Sequence, residues 1–392
     1  MARIALVFGA SGVSGWATAR ELLRYPDPTT FTRVVALSNR TLSRDKALLN
    51  DPRLELASGV DLTRPVNLVV EALREKVRDV DQVTHVYWYA YIHTVEEGSI
   101  VEANAKLLDT TLRALKVAAP NMVHFTLQTG GKAPPQYYGA HLVGTASLSP
   151  VPWKEDTPRL QEPFASTVFY YRQIDILAGH AKSATWKWND VRPDPVIGYS
   201  PTINPMNLAL IVGIYLALYR AVHGRGAKVA IPANISGANA PNNESPADYV
   251  ARCAIWLSLR EDDALSGRSF NVAVRASTYA ERWTEIAAAW GLEGVAAQED
   301  GPDPMRPGAM VAQWISAHAE TWTKLEQEHG LRKGVLEAAG FDFLVVMSIP
   351  VDRRYDLSAI QEAGWAEKDE TVRQYYTEAW ERFAEAKILP PM

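Results

Sequence analysis

The chain has 392 residues, of which 47% are hydrophobic and 22% are charged, and its formal net charge is −5. These values are typical of a folded globular protein with a large core, and they exclude a disordered chain. Lysines and arginines are scattered instead of forming a basic stripe, so nucleic acid is not an expected partner.

Cysteine content and apolar segments indicate where the protein works. Cys253 is the one cysteine, so the chain has no internal disulfide, which suits a reducing compartment. The apolar run at the N-terminus is too short for a signal peptide, and segment 208–219 is well under the ~20 residues that span a bilayer. We therefore expect a cytoplasmic protein with no membrane partner, in which residues 208–219 form a buried helix.

The first half of the chain alternates between short apolar runs and segments with helical periodicity. RIALVFG precedes the helical pattern VSGWATARELLRY, and further apolar runs lie in FTRVVALS, RLELASGVDL, THVYWYAY, NMVHFTLQT and TWKWNDVRP. This alternation predicts an α/β fold with a Rossmann-type doubly wound parallel sheet.

The pattern changes beyond about residue 195, where Pro and Gly become dense and long helical stretches follow. We predict a dinucleotide-binding Rossmann domain over residues 1–195, which includes the catalytic residues. A smaller, mainly helical part over residues 196–392 is expected to bind the substrate. Short strands such as KVAIPA and RSFNVAV are predicted in this part, and some segments within about 228–275 are expected to return to the core sheet.

A glycine-rich turn follows the first strand. Gly9, Gly12 and Gly15 fit the pattern GxxGxxG between a strand and a helix. In this context the glycines let the backbone approach a pyrophosphate, whose charge meets the free N–H groups of the helix N-terminus. The motif therefore predicts a dinucleotide cofactor.

The end of the second strand favours NADPH over NADH. An NAD-preferring site usually carries an acid there, whereas this sequence has Ser38-Asn39-Arg40, and Arg40 is suited to pair with a 2′-phosphate. Asp61, after the third run, is either an acceptor for the adenine amine or an ordinary turn residue. The predicted cofactor-binding residues are Gly9, Ser11, Gly12, Val13, Gly15, Ser38, Asn39, Arg40, Asp61, Leu62, Thr129 and Val196.

Two adjacent tyrosines, Tyr170 and Tyr171, begin the helical segment of VFYYRQIDIL. Short-chain dehydrogenase/reductases usually place a lysine four residues after the catalytic tyrosine, but Ile174 and Asp175 occupy those positions here. An aspartate disfavours ionisation of a nearby phenol, so a cation must come from elsewhere or the tyrosine acts as a neutral donor. Lys132 follows two glycines at the C-terminal end of a strand, which is the edge where open α/β sheets bind ligands.

Several motifs in order are similar to those of the progesterone 5β-reductase and iridoid synthase family, which are atypical extended short-chain dehydrogenase/reductases. They include TLQTGGK, the stretch from PRLQEPF to VFYYRQIDIL, and VRPDPVIGYSP with the following MN. Further stretches correspond from THVYWYAY to the C-terminal AKILP, so the resemblance covers nearly the whole chain.

This resemblance implies NADPH-dependent 1,4-reduction of enones and enals, with a tyrosine from the motif YYxxED and a lysine from TGxK. Carried onto this sequence, Tyr171 is the catalytic phenol, Lys132 is its lysine and Tyr170 is a packing residue. The substrate-pocket residues expected at the family level are Trp88, Tyr89, Tyr199, Met206 and Phe343. The aromatic run around Trp88 fits a buried strand equally well.

The sequence departs from the family where Ile174 replaces a glutamate of YYxxED and where WNDVRP replaces WSxHRP. We expect a reductase of an α,β-unsaturated carbonyl compound in specialised metabolism. The alternatives are an NADP(H)-bound isomerase or cyclase that uses the tyrosine as an acid, and a nucleotide-sensing binding protein.

No metal is expected, because the histidines show neither HExxH nor close paired spacing. His85 and His124 lie in predicted strands and are expected to be core or edge residues. Members of the family are often homodimers, although no feature of this sequence requires one.

Overall fold

The structure is a computed structural model, and it describes residues 2–92, 99–131, 151–299, 301, 303 and 305–392, without the side chain of Ser99. Lys132 therefore lies outside the described residues. Within them, no helix is long and apolar enough to cross a membrane.

A seven-stranded parallel sheet forms the centre of the fold, with the strand order β3-β2-β1-β4-β5-β6-β10. Its strands are β1 (Ile4–Phe8), β2 (Arg33–Ser38), β3 (Leu54–Ser58), β4 (His85–Trp88), β5 (His124–Gln128), β6 (Lys187–Arg192) and β10 (Arg268–Asn271). Two small parallel pairs lie outside it: β7 (Val196–Ile197) with β9 (Ser245–Pro246), and β8 (Lys228–Ala230) with β11 (Glu293–Val295). The reversal of strand order between β1 and β4 is the topological switch point that the sequence pattern predicted.

Helices cover both faces of the sheet and build the C-terminal part. They are α1 (Val13–Glu21), α2 (Arg44–Ala47), α3 (Val66–Lys76), α4 (Ser99–Ala118), α5 (Phe169–Ala181), α6 (Leu208–His223), α7 (Ile235–Ala238), α8 (Ala247–Ser258), α9 (Tyr279–Ala289), α10 (Arg306–Ala317), α11 (Ala319–His329), α12 (Val335–Ala338), α13 (Val345–Ser348), α14 (Ser358–Glu362) and α15 (Val372–Glu385).

The strand residues alternate between two hydrophobic layers. Ala5 and Val7 of β1 join the core that contains α1 and α6, whereas Leu6 and Phe8 join the core that contains α3 and α4. This alternation follows from the period of two along a strand, and both layers are apolar because helices cover both faces of the sheet. The α/β fold class predicted from the sequence is therefore confirmed.

The C-terminal part is built around α6, whose residues from Leu208 to Leu218 are all buried. Its N-terminus is capped by Asn207, whose side chain accepts a hydrogen bond from the Leu210 N–H. Strand β10, which follows α6 in the chain, extends the central sheet, and α8 packs against α1. The sequence pattern changes near residue 195, but strands from both sides of this residue belong to the same central sheet.

Candidate functional site

The turn between β1 and α1 needs its glycines for steric reasons. Gly9 has a φ of +80°, and a Cβ there would lie 2.7 Å from the carbonyl carbon and oxygen of Tyr89. A Cβ on Gly15 would collide with the Gly9 carbonyl, which itself accepts a hydrogen bond of 3.0 Å from the Gly12 N–H. The turn therefore lies close to both β4 and its own helix, as a dinucleotide-binding turn requires.

An open cleft of about 1070 Å³ lies above this turn at the C-terminal edge of the sheet. Seven predicted cofactor-binding residues line it: Gly9, Ser11, Gly12, Ser38, Asn39, Asp61 and Leu62. Val13 and Gly15 lie in α1, at whose N-terminus free N–H groups would meet the charge of a pyrophosphate. The cleft therefore fits a dinucleotide.

Side chains at the end of the cleft next to β2 and β3 are polar, and most of them are exposed. Arg40 is exposed directly after Asn39, and the Ser38 hydroxyl fixes this turn by donating to the Arg40 carbonyl at 2.6 Å. Asp61 accepts hydrogen bonds from the backbone and hydroxyl of Thr63, and these hydrogen bonds lower the pKa of the Asp61 carboxyl. Asp61 is thus an ionised acceptor near the cleft.

Two other predicted cofactor residues have mainly structural contacts. Thr129 is buried, and its hydroxyl donates to Asp190 Oδ1 at 2.6 Å while its N–H donates to the Val191 carbonyl. These bonds join the end of β5 to β6. Val196 is half-buried in β7, where it pairs with Ser245.

The two tyrosines at the start of α5 point to different places. The Tyr170 hydroxyl approaches the backbone of Gly130, where a Cβ would lie 3.5 Å from it. The Tyr171 hydroxyl accepts a hydrogen bond of 3.2 Å from the Leu160 N–H. Both side chains are half-buried, and both lie near the turn that follows β5.

Tyr171 lines a second cavity beside that turn. Gly130 and Gly131 form one part of its wall, and the aromatic rings of Trp153 and Tyr355 form another. The Gly131 N–H donates to the Pro193 carbonyl at 3.0 Å, which holds the turn against the chain leaving β6. The cavity therefore combines an aromatic wall, a phenol and a glycine turn at the ligand-binding edge of the sheet.

The residues expected to face a substrate differ in their exposure in the structure. Trp88 and Tyr199 are 1% and 0% exposed, so their rings lie in the core in this state and the expectation of a pocket wall is not met. Trp88 packs against Phe8, and the Tyr199 hydroxyl donates to the Lys46 carbonyl. An aromatic strand residue looks the same in sequence whether a helix or a ligand covers it.

The other three expected pocket residues keep some exposure. Tyr89 lines the cofactor cleft, and its hydroxyl accepts a hydrogen bond of 2.7 Å from the Thr18 hydroxyl. Burial raises the pKa of Tyr89, so its phenol is neutral at physiological pH. Met206 and Phe343 are half-buried, and Phe343 packs against the core around α6.

Three residues near Tyr171 were not predicted from the sequence. The Arg159 guanidinium lies 4.9 Å from the centroid of the Tyr171 ring, and Tyr355 lines the same cavity. Asp194 is 6% exposed behind Gly131. Arg159 and Asp194 fall within the family motifs PRLQEPF and VRPDPVIGYSP, but these motifs gave neither residue a role, and only the fold brings Arg159 and Tyr355 to one cavity. Among the described residues, no group of three or more His, Cys, Asp or Glu side chains could hold a metal ion.

Comparison with known proteins places the chain among short-chain dehydrogenases. Residues 5–390 match the family described as PRISE-like Rossmann-fold domain. The short chain dehydrogenase ausT of Aspergillus calidoustus is 33% identical over 99% of this chain and 95% of its own length. The 3-oxo-Delta(4,5)-steroid 5-beta-reductase of Arabidopsis thaliana is 25% identical over 86% of this chain and 80% of its own.

The fold is also found in sugar-nucleotide enzymes. The crystal structure of UDP-glucose 4-epimerase from Bifidobacterium longum, in complex with NAD+ and UDP, superposes with a TM-score of 0.62. It covers 97% of this chain and 98% of its own, at 14% identity, so it supports the fold alone. The family match and the shared fold together show a Rossmann fold of the kind that binds a nicotinamide cofactor.

Proposed function

Because this chain belongs to the PRISE-like Rossmann-fold family of oxidoreductases, we propose that it is an NADPH-dependent ene-reductase that acts on an α,β-unsaturated carbonyl compound. The observation that carries the proposal is the arrangement at the sheet edge. Two cavities open at the C-terminal ends of the central strands: the cleft above the glycine turn, at the ends of β1 and β2, and the phenol-lined cavity, at the turn after β5.

The preference for NADPH rests on Arg40. It follows β2 where an acid would repel a 2′-phosphate, and its side chain is exposed at the adenosine end of the cleft. A guanidinium pairs well with phosphate oxygens because it presents two parallel N–H donors. Ser38 and Asn39 line the same end of the cleft.

Tyr171 is the proposed donor to the substrate carbonyl. When bound, the reduced nicotinamide supplies a hydride to the β-carbon of the alkene. Negative charge then develops on the carbonyl oxygen, and a hydrogen bond from the Tyr171 hydroxyl stabilises it, at a typical gain of ~3 kcal/mol. Tyr171 then gives its proton to the enolate, or relays one from solvent, which completes the addition of two hydrogens. Lys132, outside the described residues, is proposed to hold the cofactor ribose or to assist the phenol.

A specific contact also makes Tyr170 a candidate for this role. Its hydroxyl lies nearer than that of Tyr171 to the Gly130 backbone, at the end of β5. Its ring packs on Phe169 at 4.3 Å, and Phe169 packs on Tyr91, which lines the cofactor cleft. The two assignments therefore need to be separated by experiment.

The substrate class follows from the relatives. The steroid reductase named above acts on a 3-oxo-Δ4,5 steroid, in which a carbonyl is conjugated with an alkene. The fungal short chain dehydrogenases match this chain over nearly its full length. We propose that the substrate is a cyclic enone or an enal of specialised metabolism.

The test is NADPH oxidation, followed by absorbance, against a panel from small cyclic enones to steroid enones and enals. Products are checked for a mass gain of two hydrogens. Tyr171→Phe and Tyr170→Phe are compared with Tyr219→Phe, a matched control in α6 whose hydroxyl donates to the Lys228 carbonyl. We expect Tyr171→Phe to lower kcat by ~100-fold and Tyr219→Phe to have no effect.

Two outcomes would change the assignment. Loss of turnover in Tyr170→Phe with full activity in Tyr171→Phe would transfer the donor role to Tyr170. Tight NADPH binding without oxidation by any substrate would overturn the reductase proposal in favour of isomerase or cyclase chemistry.

A further inference from the structure

The position four residues after Tyr171 carries an acid where related enzymes of the superfamily carry a lysine. That acid, Asp175, is not alone beside the phenol. Arg159 approaches it from the segment before α5 and donates two hydrogen bonds to its carboxylate, of 2.9 and 2.7 Å. The bidentate geometry fixes the plane of the guanidinium and offsets the charge of Asp175.

The same guanidinium lies over the phenol. Its central carbon is 4.9 Å from the centroid of the Tyr171 ring, within the range of a cation–π contact. The next residue, Leu160, donates its backbone N–H to the Tyr171 oxygen at 3.2 Å. Two consecutive residues therefore hold Tyr171, one over its ring face and the other at its oxygen.

We propose that Arg159 is a positioning residue for Tyr171, anchored by Asp175, and that it supplies the positive charge that a lysine in α5 supplies in related enzymes. The inference rests on the proposed function in one respect, since it assumes that Tyr171 acts on the substrate. A cation over the ring favours negative charge on the phenol oxygen, and the N–H donor at that oxygen acts in the same direction.

The exposure of the Arg159–Asp175 ion pair indicates that the pair serves to position Tyr171. The side chains of Arg159 and Asp175 are 47% and 56% exposed, and ion pairs at such exposure contribute little to folding stability. The hydrogen bonds that Arg159 donates to the Asp175 carboxylate raise the pKa of Arg159, which remains charged. Both Arg159 and Tyr171 line the same cavity, so the contact lies at the candidate site.

The test compares Arg159→Met with Arg172→Met in the full-length enzyme. Arg172 is a matched control, because it lies next to Tyr171 in α5, is 57% exposed and pairs with Glu102 at 3.6 Å. We expect Arg159→Met to lower kcat by about three- to tenfold, with KM for NADPH and the melting temperature unchanged.

Conservative variants refine this result. Arg159→Lys keeps the charge but loses the two-pronged contact with Asp175, so it should recover part of the lost kcat. Asp175→Asn should give a smaller loss than Arg159→Met, because the cation remains while its anchor is weakened. Arg159→Met should have no further effect in a Tyr171→Phe background, since the two residues act through one contact.

The proposal is overturned if Arg159→Met behaves like Arg172→Met, or if its effect is the same in the Tyr171→Phe background. A second measurement does not depend on turnover. The enzyme is labelled with ¹³C at tyrosine Cζ, and the Tyr171 resonance is assigned from its absence in Tyr171→Phe. A change in the chemical shift of this resonance in Arg159→Met, but not in Arg172→Met, supports the contact between Arg159 and Tyr171 even if no enone is reduced. An unchanged chemical shift in Arg159→Met contradicts the contact.

Discussion

The carboxylate of Asp194 lies against the bare backbone of Gly131, where a Cβ would come within 2.9 Å of Asp194 Oδ1. The carboxylate is 6% exposed, and its Oδ2 has no hydrogen-bond partner among the described residues. Burial raises the pKa of Asp194 to about 7, Arg353 and Arg282 oppose this shift, and Glu244 adds to it. An acid that titrates near neutrality therefore lies directly behind the wall of the candidate cavity.

This burial predicts a pH-dependent cost to stability. The folded state holds the Asp194 proton up to about pH 7, whereas an unfolded aspartate releases it near pH 3.8. Between these values the folded state binds more protons, so this contribution to the free energy of unfolding falls as the pH rises. Asp194→Asn should therefore be more stable than the wild type by ~1–3 kcal/mol at pH 8, and about equal to it at pH 4.

Urea unfolding of both proteins across this range measures the difference. Glu21→Gln is a useful comparison, because burial also raises the pKa of Glu21 to about 7, in a separate ion-pair cluster with Arg20 and Asp248. A constant stability difference between Asp194→Asn and the wild type at all pH values would show that Asp194 is ionised throughout.

Two core histidines predict the opposite dependence on pH. His85 and His124 lie side by side on β4 and β5, with ring centroids 6.4 Å apart, and both are buried. Burial lowers the pKa of His85 to about 4 and that of His124 to about 3. Below about pH 6.5 the unfolded chain takes up these protons and the folded state does not, so stability is lost as the pH falls toward 4.

His124→Leu removes one of these titrations and retains an apolar side chain of similar size. Relative to the wild type, the free energy of unfolding of this variant should increase by up to ~1.4 kcal/mol for each unit by which the pH is lowered from 6 to 4. Differential scanning calorimetry at several pH values measures this relative slope. A parallel pH dependence in the two proteins would mean that His124 is protonated in the folded state.

The sequence was sufficient to predict the central sheet, since apolar runs such as RIALVFG form strands that helices cover on both faces. It also predicted the glycine turn, because a turn of this kind needs glycines where its backbone closely approaches other chain segments, as Gly9 approaches Tyr89 and Gly15 approaches Gly9. The family and the oxidoreductase class could be recognised because motifs matching the family follow one another along nearly the whole chain.

The surroundings of the tyrosines could not be predicted in this way. Arg159 meets Tyr171 because the chain before α5 folds back over it, and Tyr355 arrives from the far end of the chain. Neither approach leaves a periodic signal in the sequence. Tyr199 was expected at a ligand and lies in the core, since composition does not tell which surface covers an aromatic ring.

Arg40 makes the preference for NADPH testable without turnover. Arg40→Glu should weaken NADPH binding by at least ~10-fold, because a carboxylate then faces the 2′-phosphate, while NADH binding changes little. Fluorescence titration with both cofactors gives the ratio of the two Kd values. Arg74→Glu, an exposed charge reversal in α3, is the control and should leave the ratio unchanged. An unaltered ratio in Arg40→Glu would remove Arg40 from the cofactor site.

The glycine turn allows folding to be separated from cofactor binding. A Cβ on Gly15 collides with the Gly9 carbonyl, whereas a Cβ on Gly12 would lie at an ordinary 3.4 Å from that oxygen. Gly12 also has a φ of −87°, which alanine adopts without strain. Gly15→Ala should therefore lower the free energy of unfolding by ~1–3 kcal/mol, while Gly12→Ala changes it by less than ~0.5 kcal/mol.

Cofactor affinity should show a different pattern. Gly12 lines the cleft at the N-terminus of α1, so a methyl group there occupies space that the pyrophosphate needs to reach the helix N–H groups. Gly12→Ala should bind NADPH at least ~10-fold more weakly than the wild type at unchanged stability, which calorimetric binding and thermal melting measure together. Wild-type affinity in a stable Gly12→Ala protein would mean that the pyrophosphate does not approach this turn.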